Sequence, residues 1–120
     1  MTTTPHILMC PPDYYGIEYE INPWMNTERR VDHALATEQW QALRALLVKV
    51  GASISEVPPV KGFPDLVFTA NAALVYNQQA LLAHFKHPQR QGEEPHYRRS
   101  LEENGWERLG SAGHPRRLFV

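Results

Sequence analysis

Apolar positions along this chain come in short runs, and prolines punctuate them. His6 to Cys10 (HILMC) is a compact apolar run that predicts a buried strand. Pro11 and Pro12 end it, because neither can donate to a sheet ladder. Asp13 to Gly16 reads as a loop. Ile17, Tyr19 and Ile21 alternate with Glu18 and Glu20, a brief period of two that Asn22-Pro23 interrupts. The longest periodic segment is Val31 to Val50. There Ala36, Trp40, Leu43, Leu47 and Val50 fall at helical spacing and predict one apolar stripe. Asn26 or Thr27 is the expected cap of its first turn. Gly51 sits where such a helix needs a left-handed residue after its last turn. Ser53 to Val57 alternates as a strand does, and Pro58-Pro59 stops it.

Three short apolar stretches follow, Leu66 to Phe68, Ala73 to Tyr76 and Ala80 to Phe85. Asn77 and Gln78 separate the last two and fit a hairpin turn. His87-Pro88 ends that run. Glu93 to Asn104 predicts a second, more polar helix, with Pro95 in its first turn and Gly105 as its stop. Trp106 to Leu109 begins another strand, and Gly110 to Val120 has no periodicity and reads as an irregular tail. The order is strand, helix, strand, two or three strands, helix, strand. That is an α/β (or α+β) fold, a mixed sheet with two main helices.

Composition narrows the function more than the fold. At 120 residues one domain is expected. Lys+Arg is 12 against Asp+Glu 13, a net charge of −1, so no excess of positive charge is available for nucleic acid or an acidic membrane. No apolar run nears the ~20 residues of a membrane span, and no basic segment precedes the short apolar start, which argues against a secretory signal. A cytoplasmic location is expected. With a single cysteine no internal disulfide can form. Cys10 ends an apolar strand, where thiols are ordinarily buried and inert. His84, His87, His96 and His114 lack any zinc-ligand spacing, so no metal is expected. Arg90, Arg98, Arg99, Arg116 and Arg117 interleave with Glu93, Glu94, Glu102 and Glu103, the pattern of a solvated helix face.

The informative stretch is Phe63 to Val75, FPDLVFTANAALV, where Asp65 and Asn71 interrupt an apolar run. Buried polar groups need partners, so the pair either faces a cavity or closes turns.

Here the sequence resembles a known family. MCPPDYYGIEYEINPWMN (Met9 to Asn26), PDLVFTANAALV (Pro64 to Val75) and FKHPQRQGEEPHYRR (Phe85 to Arg99) are similar to the amidinotransferase and arginine deiminase superfamily of guanidine-modifying enzymes. The FTAN form with INPWM upstream is most similar to the arginine dihydrolase branch, with dimethylarginine dimethylaminohydrolases nearby. The resemblance implies a pentein β/α-propeller, of which this chain would hold the first one or two ββαβ units. On that reading residues 1–109 are family sequence and 110–120 a tail outside it, as a truncated or out-of-frame end would be. It also implies covalent catalysis by a cysteine thiolate, with a histidine as acid and base, and no organic cofactor or metal. Four positions match substrate-binding ones: Asn22 of the INP motif, Asp65, Asn71 and Arg90. Asn71 stands where deiminases carry a guanidinium-gripping aspartate, and Arg90 where an arginine holds the substrate carboxylate.

The chemistry suits those roles. An asparagine offers an acceptor to a guanidinium and donors to a ureido oxygen. An arginine offers a two-pronged partner to a carboxylate. The family's catalytic cysteine, histidine and glutamate have no counterpart, and Cys10 is not the family nucleophile. The expectation is therefore the N-terminal fragment of a hydrolase taking arginine, or a related guanidino compound, to citrulline or ornithine. The alternatives are a fragment of a dimethylarginine hydrolase or deiminase, or a non-catalytic binding or interaction module. Unpaired sheet edges and apolar faces at Leu66, Phe68 and Leu74 would favour self-association.

Overall fold

A computed structural model describes residues 4–108 and 118–119. The chain divides into two compact units, Met1–Val67 and Phe68–Val120.

The first unit is built on a β-α-β element. β1 (His6–Met9) and β2 (Ser53–Glu56) pair in parallel, with His6 opposite Ser53 and Met9 opposite Glu56. Parallel neighbours need a long crossover, and helix α1 (His33–Lys49) is part of it. Its cap is Asp32, whose carboxylate accepts from the Leu35 amide at 3.0 Å. Asn26 and Thr27 do not cap it. The Asn26 side chain accepts from the Glu28 amide and the Thr27 hydroxyl donates to Glu20, so both serve the loop ahead of the helix. Gly51 follows with φ of 102°, as the left-handed position requires.

The predicted stripe of α1 is only partly covered. Ala36, Trp40 and Leu47 are half-buried, joined by Arg44, whose guanidinium reaches Glu56 of β2 at 3.1 Å. Leu43 and Val50 are exposed instead. Two expected strands are absent. Ile17 to Ile21 pairs with no strand and bends at Tyr19 and Ile21. Leu66 to Phe68 follows Pro64 into a 3-10 turn, Pro64–Val67. Leu66 is therefore buried and is no exposed apolar face. Met9, Cys10 and Val57 are buried with it, so the thiol is a packed one.

The second unit is a ββαβ arrangement. β3 (Ala73–Tyr76) and β4 (Gln79–His84) form an antiparallel hairpin. Asn77 turns the chain with φ of 56°, a conformation asparagine tolerates better than most residues. A short helix α2 (Pro88–Gln91) and α3 (Glu94–Glu103) return the chain to β5 (Glu107–Arg108), which pairs in parallel with the start of β4. Gly105, with φ of 95°, stops α3. Further along β4, β6 (Leu118–Phe119) pairs in parallel with Ala83 and His84. The rest of the expected tail lies outside the described residues.

The core of this unit is Ala72, Ala80, Ala83, Phe85, Tyr97, Leu101 and Trp106. Glu93, Tyr97, Ser100 and Leu101 are all buried, at the i, i+4, i+7, i+8 spacing of one helix face. The opposite residues Arg98, Arg99, Glu102 and Glu103 are exposed, as the charge pattern predicts. No described helix is long and apolar enough to cross a membrane.

The cap of α1 is open to a simple check. Asp32→Ala should lower stability by about 1 kcal/mol, the usual value of an N-cap. Urea unfolding followed by far-UV circular dichroism measures it, and an unchanged midpoint would deny Asp32 that role.

Candidate functional site

The polar centre of the second unit is Arg90. His87 precedes a proline and is therefore extended (φ −85°, ψ 124°), and Pro88 starts the first turn of α2. That turn directs Arg90 inward, where only 8% of it is exposed. Its Nε donates to Glu93 Oε2 at 3.0 Å and its Nη2 to Glu93 Oε1 at 2.8 Å, a two-pronged ion pair. Its Nη1 donates to Asn71 Oδ1 at 3.0 Å. The Phe85 ring lies against the guanidinium, 4.4 Å from ring centre to Cζ. Such a pair is charge-assisted at each prong, and the ring adds a cation–π contact.

Phe85 is itself held by its backbone. Glu94 Oε2 accepts from the Phe85 amide at 3.0 Å, and Gln91 Nε2 donates to the Phe85 carbonyl at 2.9 Å. The other Glu94 oxygen meets His84 Nδ1 at 3.3 Å. Phe85 packs on Tyr97, with ring centres 6.3 Å apart. The HFKHPQRQGEE segment thus folds back on itself around one guanidinium.

Asn71 reaches Arg90 from a second 3-10 turn, Thr69–Asn71. The Asn71 amide donates to the Phe68 carbonyl, and that carbonyl also accepts from the Tyr97 hydroxyl. Ala72 is buried, and its carbonyl accepts from the Ala83 amide at 2.9 Å, fastening the turn to β4. An arginine can only donate. The oxygen of the Asn71 amide must therefore face Arg90, and its NH₂ is turned away from it.

The other two expected residues belong to the first unit. Asp65 opens the Pro64–Val67 turn, is 5% exposed, and accepts from the Tyr19 hydroxyl at 2.7 Å. Asn22 is exposed, and its Oδ1 accepts from the amides of Trp24 and Met25 at 3.0 and 3.1 Å, closing the turn around Pro23. Among the four, Asn71 and Arg90 are in direct contact.

One expectation needs correction. Arg90 and Glu93 are buried as a pair and do not form part of a solvated face. Glu93 has no exposed surface at all. Its position four residues before Tyr97 and eight before Leu101 was the available signal, since a charge on an apolar stripe calls for a buried partner. The bond from Tyr19 to Asp65 was also not foreseen, since the alternation around Tyr19 marks an apolar face and names no partner for its hydroxyl. Among the described residues, no group of three histidine, cysteine or acidic side chains could hold a metal ion.

The ββαβ arrangement is that of the family the motifs resemble, and comparison with known proteins agrees. No family model matches the chain. The bifunctional arginine dihydrolase/ornithine cyclodeaminase AgrE of Nostoc sp. is 48% identical over 107 residues, 88% of this chain and 15% of AgrE. A dimethylarginine dimethylaminohydrolase of Mycobacterium tuberculosis is 37% identical over 89 residues, 74% of this chain and 30% of that protein. The crystal structure of the N-terminal domain of the cyanobacterial arginine dihydrolase ArgZ, bound to product, superposes with a TM-score of 0.79 at 44% identity, covering 89% of this chain and 39% of that one. The chain's homologues are thus arginine dihydrolases and dimethylarginine dimethylaminohydrolases, members of the pentein superfamily, and the similarity to the dihydrolases lies in their N-terminal domain. The chain spans between 15% and 39% of the length of these relatives.

The buried pair makes an energetic prediction. Arg90→Met leaves the Glu93 carboxylate buried without its cation and should destabilise the chain by about 3–5 kcal/mol. Adding Glu93→Leu should recover most of that loss, because a matched apolar pair often replaces a buried ion pair without penalty. Urea titration followed by tryptophan fluorescence reads both, and additive losses in the double variant would contradict the coupling.

Proposed function

We propose that this chain is the substrate-binding N-terminal portion of a hydrolase acting on arginine or a related guanidino compound. Asn22, Asp65, Asn71 and Arg90 are its substrate-binding residues, and residues 1–109 are the family portion. The observation that carries the reading is the contact between Asn71 of the FTAN turn and buried Arg90 of the HPQR turn. Two motifs far apart in sequence converge there, in a chain 48% identical to an arginine dihydrolase over their whole span.

The chemistry follows from donor and acceptor counts. A guanidinium is a planar cation with five N–H donors, which suits Asp65 as a carboxylate. A citrulline-type ureido group carries an oxygen that accepts from an amide NH₂, which suits Asn71. Arg90 is the matching cation for the carboxylate of an amino-acid substrate. None of the four is a nucleophile, so thiolate attack and its resolution by water belong to other parts of a complete family enzyme.

A chimera tests this. Residues 6–107 would replace the matching segment of the AgrE dihydrolase domain, and products from arginine would be measured by amino-acid analysis. Release of ornithine and ammonia is expected. Asn71→Asp in that chimera should shift product toward citrulline, because an aspartate holds the guanidinium but gives no donor to the ureido oxygen. A chimera that folds with the parent melting temperature yet yields no product defeats the reading.

We also propose that the 120-residue chain self-associates. Leu74 and Tyr76 on β3 are 60% and 76% exposed, and Phe68 is 44% exposed. Exposed strands of this kind pair readily. Light scattering should show a mass that rises with concentration, and Tyr76→Lys should lower it. A monomer at every concentration removes the proposal.

A further inference from the structure

Glu93 carries no role in the reading above, yet it is among the most enclosed side chains of the protein, with 0% exposure. A buried carboxylate is unfavourable unless its partner satisfies it. Here both of its oxygens are taken by Arg90. That grip uses the Nε and Nη2 side of a planar group, and it leaves Nη1 directed at Asn71 Oδ1. The Phe85 ring covers one face of the same plane. The guanidinium is therefore defined in translation by Glu93 and in tilt by Phe85.

We infer that Glu93 is a positioning residue for ligand recognition. It acts through Arg90 to hold the Asn71 amide with its oxygen inward and its NH₂ outward. Asn71 then meets a ligand as a donor, and the group it takes is an oxygen acceptor of the ureido or carbonyl class rather than a guanidinium N–H. This rests on the proposal that Asn71 faces substrate, but the orientation of its amide does not.

Nuclear magnetic resonance of the ¹⁵N-labelled chain tests each link. In the wild-type protein the Arg90 Nε–H should exchange with water at least tenfold more slowly than that of exposed Arg98. Equal rates would overturn the proposal, and this arm needs no variant. Glu93→Gln keeps the volume and removes the charge. It should speed Arg90 Nε–H exchange at least tenfold and move the two Asn71 NH₂ resonances, with the Tyr97 ring signals in place. Glu93→Asp should return the Asn71 resonances part of the way. Asn71 signals that ignore both variants would overturn the proposal, since a purely structural Glu93 has no reason to act on that amide. Titration with L-citrulline should shift the Asn71 NH₂ signals of the wild-type chain at concentrations where L-arginine does not. A larger response to arginine would overturn the donor assignment. If neither ligand shifts them, the substrate reading falls, and the positioning role stands or falls on the exchange data alone.

Discussion

The second unit of this protein is organised by a charge largely withdrawn from water. Arg90 is buried, so its guanidinium must find partners within the fold, and Glu93 supplies both oxygens of a carboxylate. Satisfying that pair dictates much else. The turn at Pro88 must bring residues 90 and 93 to the same side, and α3 must begin with Glu93 on its buried face. Phe85 must stay fixed beneath the guanidinium, which Gln91 and Glu94 ensure by holding its backbone groups. The sheet contributes through Ala72 and Ala83, which bring Asn71 to the remaining edge.

The first unit is held differently. A parallel strand pair with its crossover helix sets the frame, and the Tyr19–Asp65 hydrogen bond ties a long irregular segment to the Pro64 turn. The helix buries little, since Leu35, Leu43 and Leu46 are about half exposed or more. Relatives that share this segment are roughly two to six times as long as this chain. An apolar helix face of this extent is ordinarily covered by further protein.

The candidate site divides in the same way. Asn71 and Arg90 were legible as matches to family motifs, and Asp65 as a polar residue in an apolar run. Their local chemistry was not legible. Nothing in the string HPQRQGEE distinguishes a glutamate pairing with Arg90 in the interior from one in solvent. The reading of Arg90, Glu93 and their neighbours as a solvated face followed from charge alternation alone. The stripe Glu93, Tyr97, Leu101 pointed the other way, and burial followed the stripe.

What the sequence determined by itself are the local events whose physics is local. Pro11 and Pro58 end strands, Gly51 and Gly105 accept positive φ after helices, and Asn77 turns a hairpin between two apolar runs. The βαβ and ββαβ order follows from those signals. Tertiary structure alone decided the fate of Ile17 to Ile21 and which charges went inside. In each case the deciding partner is distant or ambiguous in sequence. A strand needs a neighbour to complete its ladder, and three alternating residues without one stay as bends. A buried arginine needs a carboxylate and an oxygen acceptor in one plane. Only the folded chain shows that Asn71, nineteen residues away, completes it.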